Sequence, residues 1–189
     1  MSDIFNRVHF KFTEEKYLNW IKERVLNQNG NFDFNNIISI DDNLPPKEKE
    51  LSELREWGVS SNAFNSSFFE LRDKKGYNLI FTFDTKDFPA LNAFNYLYSL
   101  FRNTMMTIDY YDKNNFGHDC GTYVYKGHNV ENIIYFNNYT APYNFSTGFE
   151  KMKKYNVFQY MEERYGKQFL ENNNMIYNTE LKLWRFKYE

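Results

Sequence analysis

Residues 66–83 read SSFFELRDKKGYNLIFTF. Two apolar-rich runs flank Asp73-Lys74-Lys75-Gly76, and a short polar break closed by glycine between such runs is a hairpin signal. The stretch predicts paired strands over Ser66–Arg72 and Tyr77–Phe83. Upstream, Pro45-Pro46 suits a helix start, and Lys47 to Trp57 continues a helix with Leu51 and Leu54 expected inward, ended by Gly58. Downstream, Phe88-Pro89 opens a helix carrying Leu91, Phe94, Leu97, Tyr98 and Phe101 on one stripe. Met105–Tyr111 reads as the next strand, residues 114–121 as a turn, and Thr122–Tyr125 as a strand pairing back.

At the front of the chain, Arg7–Phe12 alternates polar and apolar side chains, which places Val8, Phe10 and Phe12 on one face of a strand. His9 falls on the other face beside Lys11, where it reads either as a polar-face residue or as a phosphate contact. A helix follows from Thr13, Glu15 and Lys16, with Tyr17, Trp20, Ile21, Arg24 and Val25 at helical spacing, and Asn29-Gly30 stops it. Phe32–Ile40 reads as a short extended or irregular segment. The resulting order of strand, helix, strand, strand, helix, strand predicts an α+β fold, a ferredoxin-like split βαβ sandwich over residues 1–128. Residues 129–189 are expected to form an α/β extension packed on that core. Within it, Asn132–Phe136 reads as a strand, Thr140–Gly148 as a loop, Glu150–Tyr165 as a helix closed by Gly166, and Leu181–Tyr188 as a final strand.

The chain has 189 residues, suited to one domain with an appended part. Its aromatic share is 21%, from 20 Phe, 16 Tyr and 3 Trp. Such residues fill cores, and where exposed they stack on bases or anchor a protein partner. A net charge of -2 lacks the basic signature of a duplex-DNA binder. The single cysteine, Cys120, excludes an internal disulfide and a cysteine-cluster zinc site, and fits a reducing cytoplasm. No signal-peptide pattern opens the chain, and no apolar run is long enough to span a bilayer. Abundant Asn, Lys, Ile, Tyr and Phe suggest an AT-rich genome, that of a low-GC bacterium or its phage.

Five landmarks recur in order: Asn31-Phe-Asp-Phe-Asn-Asn-Ile-Ile, Glu56-Trp-Gly-Val-Ser-Ser-Asn-Ala-Phe, Phe81-Thr-Phe-Asp-Thr, Tyr110-Tyr-Asp-Lys-Asn-Asn-Phe-Gly and Gly121-Thr-Tyr-Val-Tyr. This pattern resembles small phage and plasmid accessory proteins of the YubB/Api type, whose shared region is a ferredoxin-like domain. The resemblance rests on aromatic and glycine landmarks rather than on a catalytic signature. It implies a mobile-element protein acting in the host cytoplasm. The expected role is binding of a host protein or ribonucleoprotein of a defence system, as an anti-CRISPR-type inhibitor does.

Nucleotide-loop, nucleophile-elbow and metal-ligand motifs are absent, so no cofactor or metal is expected. The one concentration of reactive side chains is His118-Asp119-Cys120 with His128 ten residues on. Two imidazoles and a carboxylate could form an acid–base pair or a weak metal site, and the alternative is a solvated turn. This trio carries the second function class, an RNA-binding or RNA-cleaving protein without a nucleotide cofactor. Two basic stretches complete the candidates. Lys151, Lys153 and Lys154 open the predicted late helix, and Lys182, Arg185 and Lys187 interleave with Trp184 near the end. Together they are expected to make one positive face for single-stranded RNA. The alternative for the last segment is an edge strand guarded by its lysines, with homodimerisation through that edge. Trp57 and Trp184 are the first candidates for protein-partner anchors.

Overall fold

A computed structural model describes residues 2–114, 120–135, 149–172, 175–179 and 183–186. The alternation read at Arg7–Phe12 extends over β1 (Asp3–Phe12), whose even-numbered residues from Ile4 to Phe12 are buried. α1 (Lys16–Val25) turns Tyr17, Ile21 and Val25 inward. The segment expected to be irregular contains one helical turn, α2 (Phe34–Ile37). Asp33 caps it by accepting from the Asn35 N–H at 2.8 Å, and Asn62 Nδ2 donates to the same carboxylate oxygen at 2.8 Å. α3 (Pro46–Glu56) begins at the proline pair as expected.

The hairpin comes next, β2 (Phe64–Asp73) and β3 (Gly76–Lys86). Asp73 faces Gly76, so Lys74 and Lys75 alone make the turn. α4 (Leu91–Leu100), β4 (Met105–Asp112) and β5 (Cys120–Lys126) follow in the order the sequence predicts. β6 (Asn129–Tyr135) returns from β5 across Gly127-His128, and β7 (Phe149–Asn156) pairs with β6. The remaining elements are α5 (Val157–Asn172), β8 (Met175–Asn178) and β9 (Leu183–Phe186).

The strand order is β2-β3-β1-β4-β5-β6-β7, antiparallel at every pairing, and β8 and β9 form a separate two-stranded sheet. β1 and β2 therefore run parallel with β3 between them, and β3 and β4 run parallel with β1 between them. The chain is an α+β protein. The sheet continues past position 128 without a break.

One face of the sheet carries the core. Phe83 sits at its centre, with the Phe32 ring stacked at 4.2 Å and the rings of Phe34 and Phe94 at 5.7 and 6.1 Å. All four are fully buried. Two expectations change here. Leu51 and Leu54 are 59% and 41% exposed, and no residue of α3 is buried. The buried positions near it belong instead to the preceding run, Phe34, Ile37, Ile38 and Ile40, and to Trp57, whose indole N–H donates to the Ile38 carbonyl at 2.8 Å. The helix predicted over Glu150–Tyr165 is a strand up to Asn156 and a helix only afterwards. Pairing with β6 overrides the local helical preference of Glu150–Lys154, and a register shift at Ile134/Tyr135 admits Glu150 as an extra residue. Gly166, at φ 75 and ψ 160, interrupts α5 where the sequence expected a helix end. The loop expected over 140–148 lies outside the described residues.

Candidate functional site

Sheet register draws four distant segments into one cleft. Lys11 of β1 faces Asn78 on one side and Met105 on the other, and Met105 in turn faces Lys126. Lys11 and Lys126 thus lie two strand spacings apart, about 10 Å, on the sheet face opposite the core. The β2–β3 turn brings Asp73, Lys75, Gly76 and Tyr77 beside them, and the α4–β4 connection adds Arg102, Asn103 and Thr104. The cleft has a volume of about 430 Å³, within the range of small-ligand sites.

Its charge is lopsided, with Lys11, Lys75, Lys126 and Arg102 set against Asp73. Elsewhere, Lys16, Lys22, Lys49, Lys86 and Lys113 each hold a carboxylate within 2.8 Å. Lys11, Lys75 and Lys126 are exposed and make no ion pair among the described residues. The carboxylate of Asp73 is turned to local work, accepting from the Lys75 N–H at 2.7 Å and from Asn78 Nδ2 at 3.4 Å. Neutral polar groups line the remainder, including Thr13, Asn78, Asn103 and Thr104.

Two features fix the walls. The Tyr98 hydroxyl lies within 3.3 Å of the carbonyls of Arg102, Thr104 and Gly127, so one donor ties the α4–β4 connection to the β5–β6 turn. Burial pushes its ionisation far above the ordinary tyrosine range, which keeps the proton available for donation. At the turn, a Cβ on Gly76 would stand 2.4 Å from the Phe12 carbonyl oxygen, and φ there is 134. Only glycine lets the hairpin approach β1 this closely. Tyr77 packs flat on Phe12 at 5.8 Å, and the Arg72 guanidinium lies 5.0 Å from the centre of the Tyr77 ring. A cleft lined by cations and neutral donors suits an anionic ligand with several oxygens, the phosphate group foremost.

The sequence candidates are placed differently. His118 and Asp119 lie outside the described residues. Their neighbour Cys120 opens β5, whereas His128 occupies the turn beyond its other end, about 20 Å of strand away. The β5–β6 hairpin therefore does not carry His128 towards Cys120. His128 instead stands next to the cleft, and burial first, then Arg102, lowers its basicity. Lys151, Lys153 and Lys154 lie on β7 rather than at a helix start, facing Ile134, Asn132 and Glu131. Trp184 and Arg185 belong to β9 in the separate small sheet, and Lys182 and Lys187 lie outside the described residues. Of the six basic residues, Lys151, Lys153 and Lys154 thus fall on the seven-stranded sheet and Arg185 on the two-stranded one. Trp57 is fully buried and offers no surface to a partner. His9 is half-buried on the open sheet face, its Nε2–H donating to Asn78 Oδ1 at 3.0 Å, one residue from Lys11 in the row that feeds the cleft.

Among the described residues no group of three or more His, Cys, Asp or Glu could hold a metal ion, and no helix is long and apolar enough to cross a membrane. Compared with protein-family models, curated proteins and solved structures, the chain matches none.

Proposed function

We propose that this chain is an accessory binding protein of a mobile element that holds the phosphate backbone of a host RNA or ribonucleoprotein in the Lys11–Lys75–Lys126 cleft. The observation that carries the reading is the concentration of three lysines without ion pairs among the described residues, with Arg102, on one cleft of a chain whose net charge is -2. A positive recess on a mildly acidic protein attracts polyanions locally while disfavouring indiscriminate binding. The strand order β2-β3-β1-β4, with each helical connection passing over an intervening strand, supports a ferredoxin-like reading of the first four strands. The sequence resemblance adds the physiological setting, inhibition of a defence nucleoprotein of the anti-CRISPR type.

The test is binding of a labelled single-stranded RNA, followed by fluorescence anisotropy across a salt series. Each phosphate contact contributes a slope of about -0.7 in log K against log salt for a single strand. The triple variant Lys11→Ala, Lys75→Ala, Lys126→Ala should therefore flatten the slope by about 2. Its far-UV circular dichroism should match the wild type, because all three side chains are exposed. Wild-type protein that leaves the RNA free at micromolar concentration and low salt, or a triple variant with an unchanged slope, would reject the cleft as a phosphate site. A pull-down from a low-GC host then asks which nucleoprotein is held.

A further inference from the structure

β2 forms one edge of the seven-stranded sheet, and every residue from Ser67 to Asp73 is exposed. Phe68, Phe69 and Leu71 are 36%, 58% and 58% exposed along it. Sheet edges are ordinarily protected by lysine, proline or a bulge. Here Asn65, at φ 53, accompanies a register shift between Phe64 and Ser67, which leaves Ser67–Asp73 as a regular edge with neither lysine nor proline. Because Asp73 and Gly76 close a two-residue turn, they form a hydrogen-bonded pair, and residues 71, 69 and 67 likewise bond towards β3. Phe68, Glu70 and Arg72 therefore direct their backbone N–H and C=O groups outward.

We propose that a second copy of this chain pairs antiparallel on this edge, about a two-fold axis at Leu71. The charges choose the register. An axis at Glu70 sets two carboxylates against each other. An axis at Phe69 sets Glu70 against Phe68 and leaves Arg72 opposite Ser66. An axis at Leu71 places Glu70 of each copy opposite Arg72 of the other, and gives two hydrogen-bonded backbone pairs between outward-directed residues. Both charges are already positioned for it, Glu70 by Lys22 at 2.6 Å and Arg72 over the Tyr77 ring. On the other face Leu71 meets its own copy in a close, non-hydrogen-bonded pair flanked by both Phe69 side chains. The product is one continuous sheet of two copies, strand addition with the chain as its own partner.

Sedimentation velocity over a concentration series reads the association directly, and the wild type should shift from monomer towards dimer. Arg72→Glu puts a carboxylate opposite each Glu70 and should hold the chain monomeric. The register is read by oxidative cross-linking in a Cys120→Ser background. Leu71→Cys should give a disulfide-linked dimer, because two copies of position 71 lie at bridging distance. Phe69→Cys should not, because its two copies are separated by four register positions, about 13 Å. A wild type that stays monomeric throughout overturns the proposal and leaves the edge to a strand from another protein or to none. A dimer that cross-links through Phe69→Cys in preference to Leu71→Cys, or that survives Arg72→Glu unchanged, overturns it equally.

Discussion

Gly76 shows what a single position can require. Its backbone at φ 134 and the 2.4 Å approach of a would-be Cβ to the Phe12 carbonyl leave no room for a side chain. Gly76→Ala should destabilise the fold by about 1–3 kcal/mol, seen as a lower urea midpoint at unchanged slope. The glycine's role in a turn was legible in Asp73-Lys-Lys-Gly76, but its contact with Phe12 was not, because that neighbour is fixed by β1–β3 register. His9 carries a second prediction. Burial lowers its basicity, outweighing the hydrogen bond to Asn78 that acts the other way, and Lys11 and Arg7 lower it further. His128 is lowered as well, by burial and by Arg102. Below the ordinary histidine value of about 6.5 the unfolded chain thus binds more protons than the folded one, so stability rises with pH in that window. The contribution is complete above about 6.5 and is lost as pH falls towards the depressed folded values. Urea midpoints measured from pH 7 down to 5.5 should decline for the wild type, and His9→Gln should decline less. Equal slopes for the two would assign the effect to other groups.

Among elements, β1 to β6 and the first and fourth helices were readable because each shows a period or a turn signal of its own. β1 alternates, α4 spaces its largest apolar residues as a helix does although every residue from Ala93 to Leu100 is buried, and the hairpin carries its turn residues. The misreadings came from tertiary choices that no period encodes. Glu150–Lys154 has helix-forming composition and becomes strand because β6 offers a ladder. In α3, Leu51 and Leu54 stand one turn apart, as core residues of a helix do, yet both face solvent. The cost of removing them follows from that position. Leu51→Ala and Leu54→Ala should each change stability by less than about 0.5 kcal/mol. Phe83→Ala, in the middle of four interlocked aromatic rings, should cost about 3–5 kcal/mol. Urea unfolding of the three variants checks both statements, and a leucine variant that loses as much as Phe83→Ala would place α3 against the core after all. The cleft was partly visible too. Lys11 beside His9 suggested a phosphate contact, whereas Lys75 read only as part of a hairpin turn and Lys126 drew no reading, since only the strand order brings them beside Lys11.

For the whole molecule, the question is whether residues beyond 128 are an addition or a part of the same cooperative unit. Val130 and Leu170 are both fully buried and belong to the same apolar cluster as Tyr125, Tyr98 and Phe94. Val130 faces Tyr125 across the β5–β6 ladder, and the Tyr125 hydroxyl donates to Asn95 Oδ1 of α4 at 2.9 Å. Cutting the chain after His128 would strip β5 of one of its two partner strands, β6, and uncover this group from one side. Loss of the two aliphatic side chains alone is worth about 3–6 kcal/mol, comparable to much of the stability of a small domain. The full chain should therefore unfold in one urea transition, with circular dichroism and tryptophan fluorescence coinciding, since Trp57 reports on the early part and Trp184 on the late part. A chain of residues 1–128 should unfold at a clearly lower urea concentration, its cleft cations Lys11, Lys75 and Lys126 all still present in sequence. Two separated transitions in the full chain, with the truncated chain keeping the midpoint of one of them, would instead make the five-strand part a domain that stands alone and carries the cleft by itself.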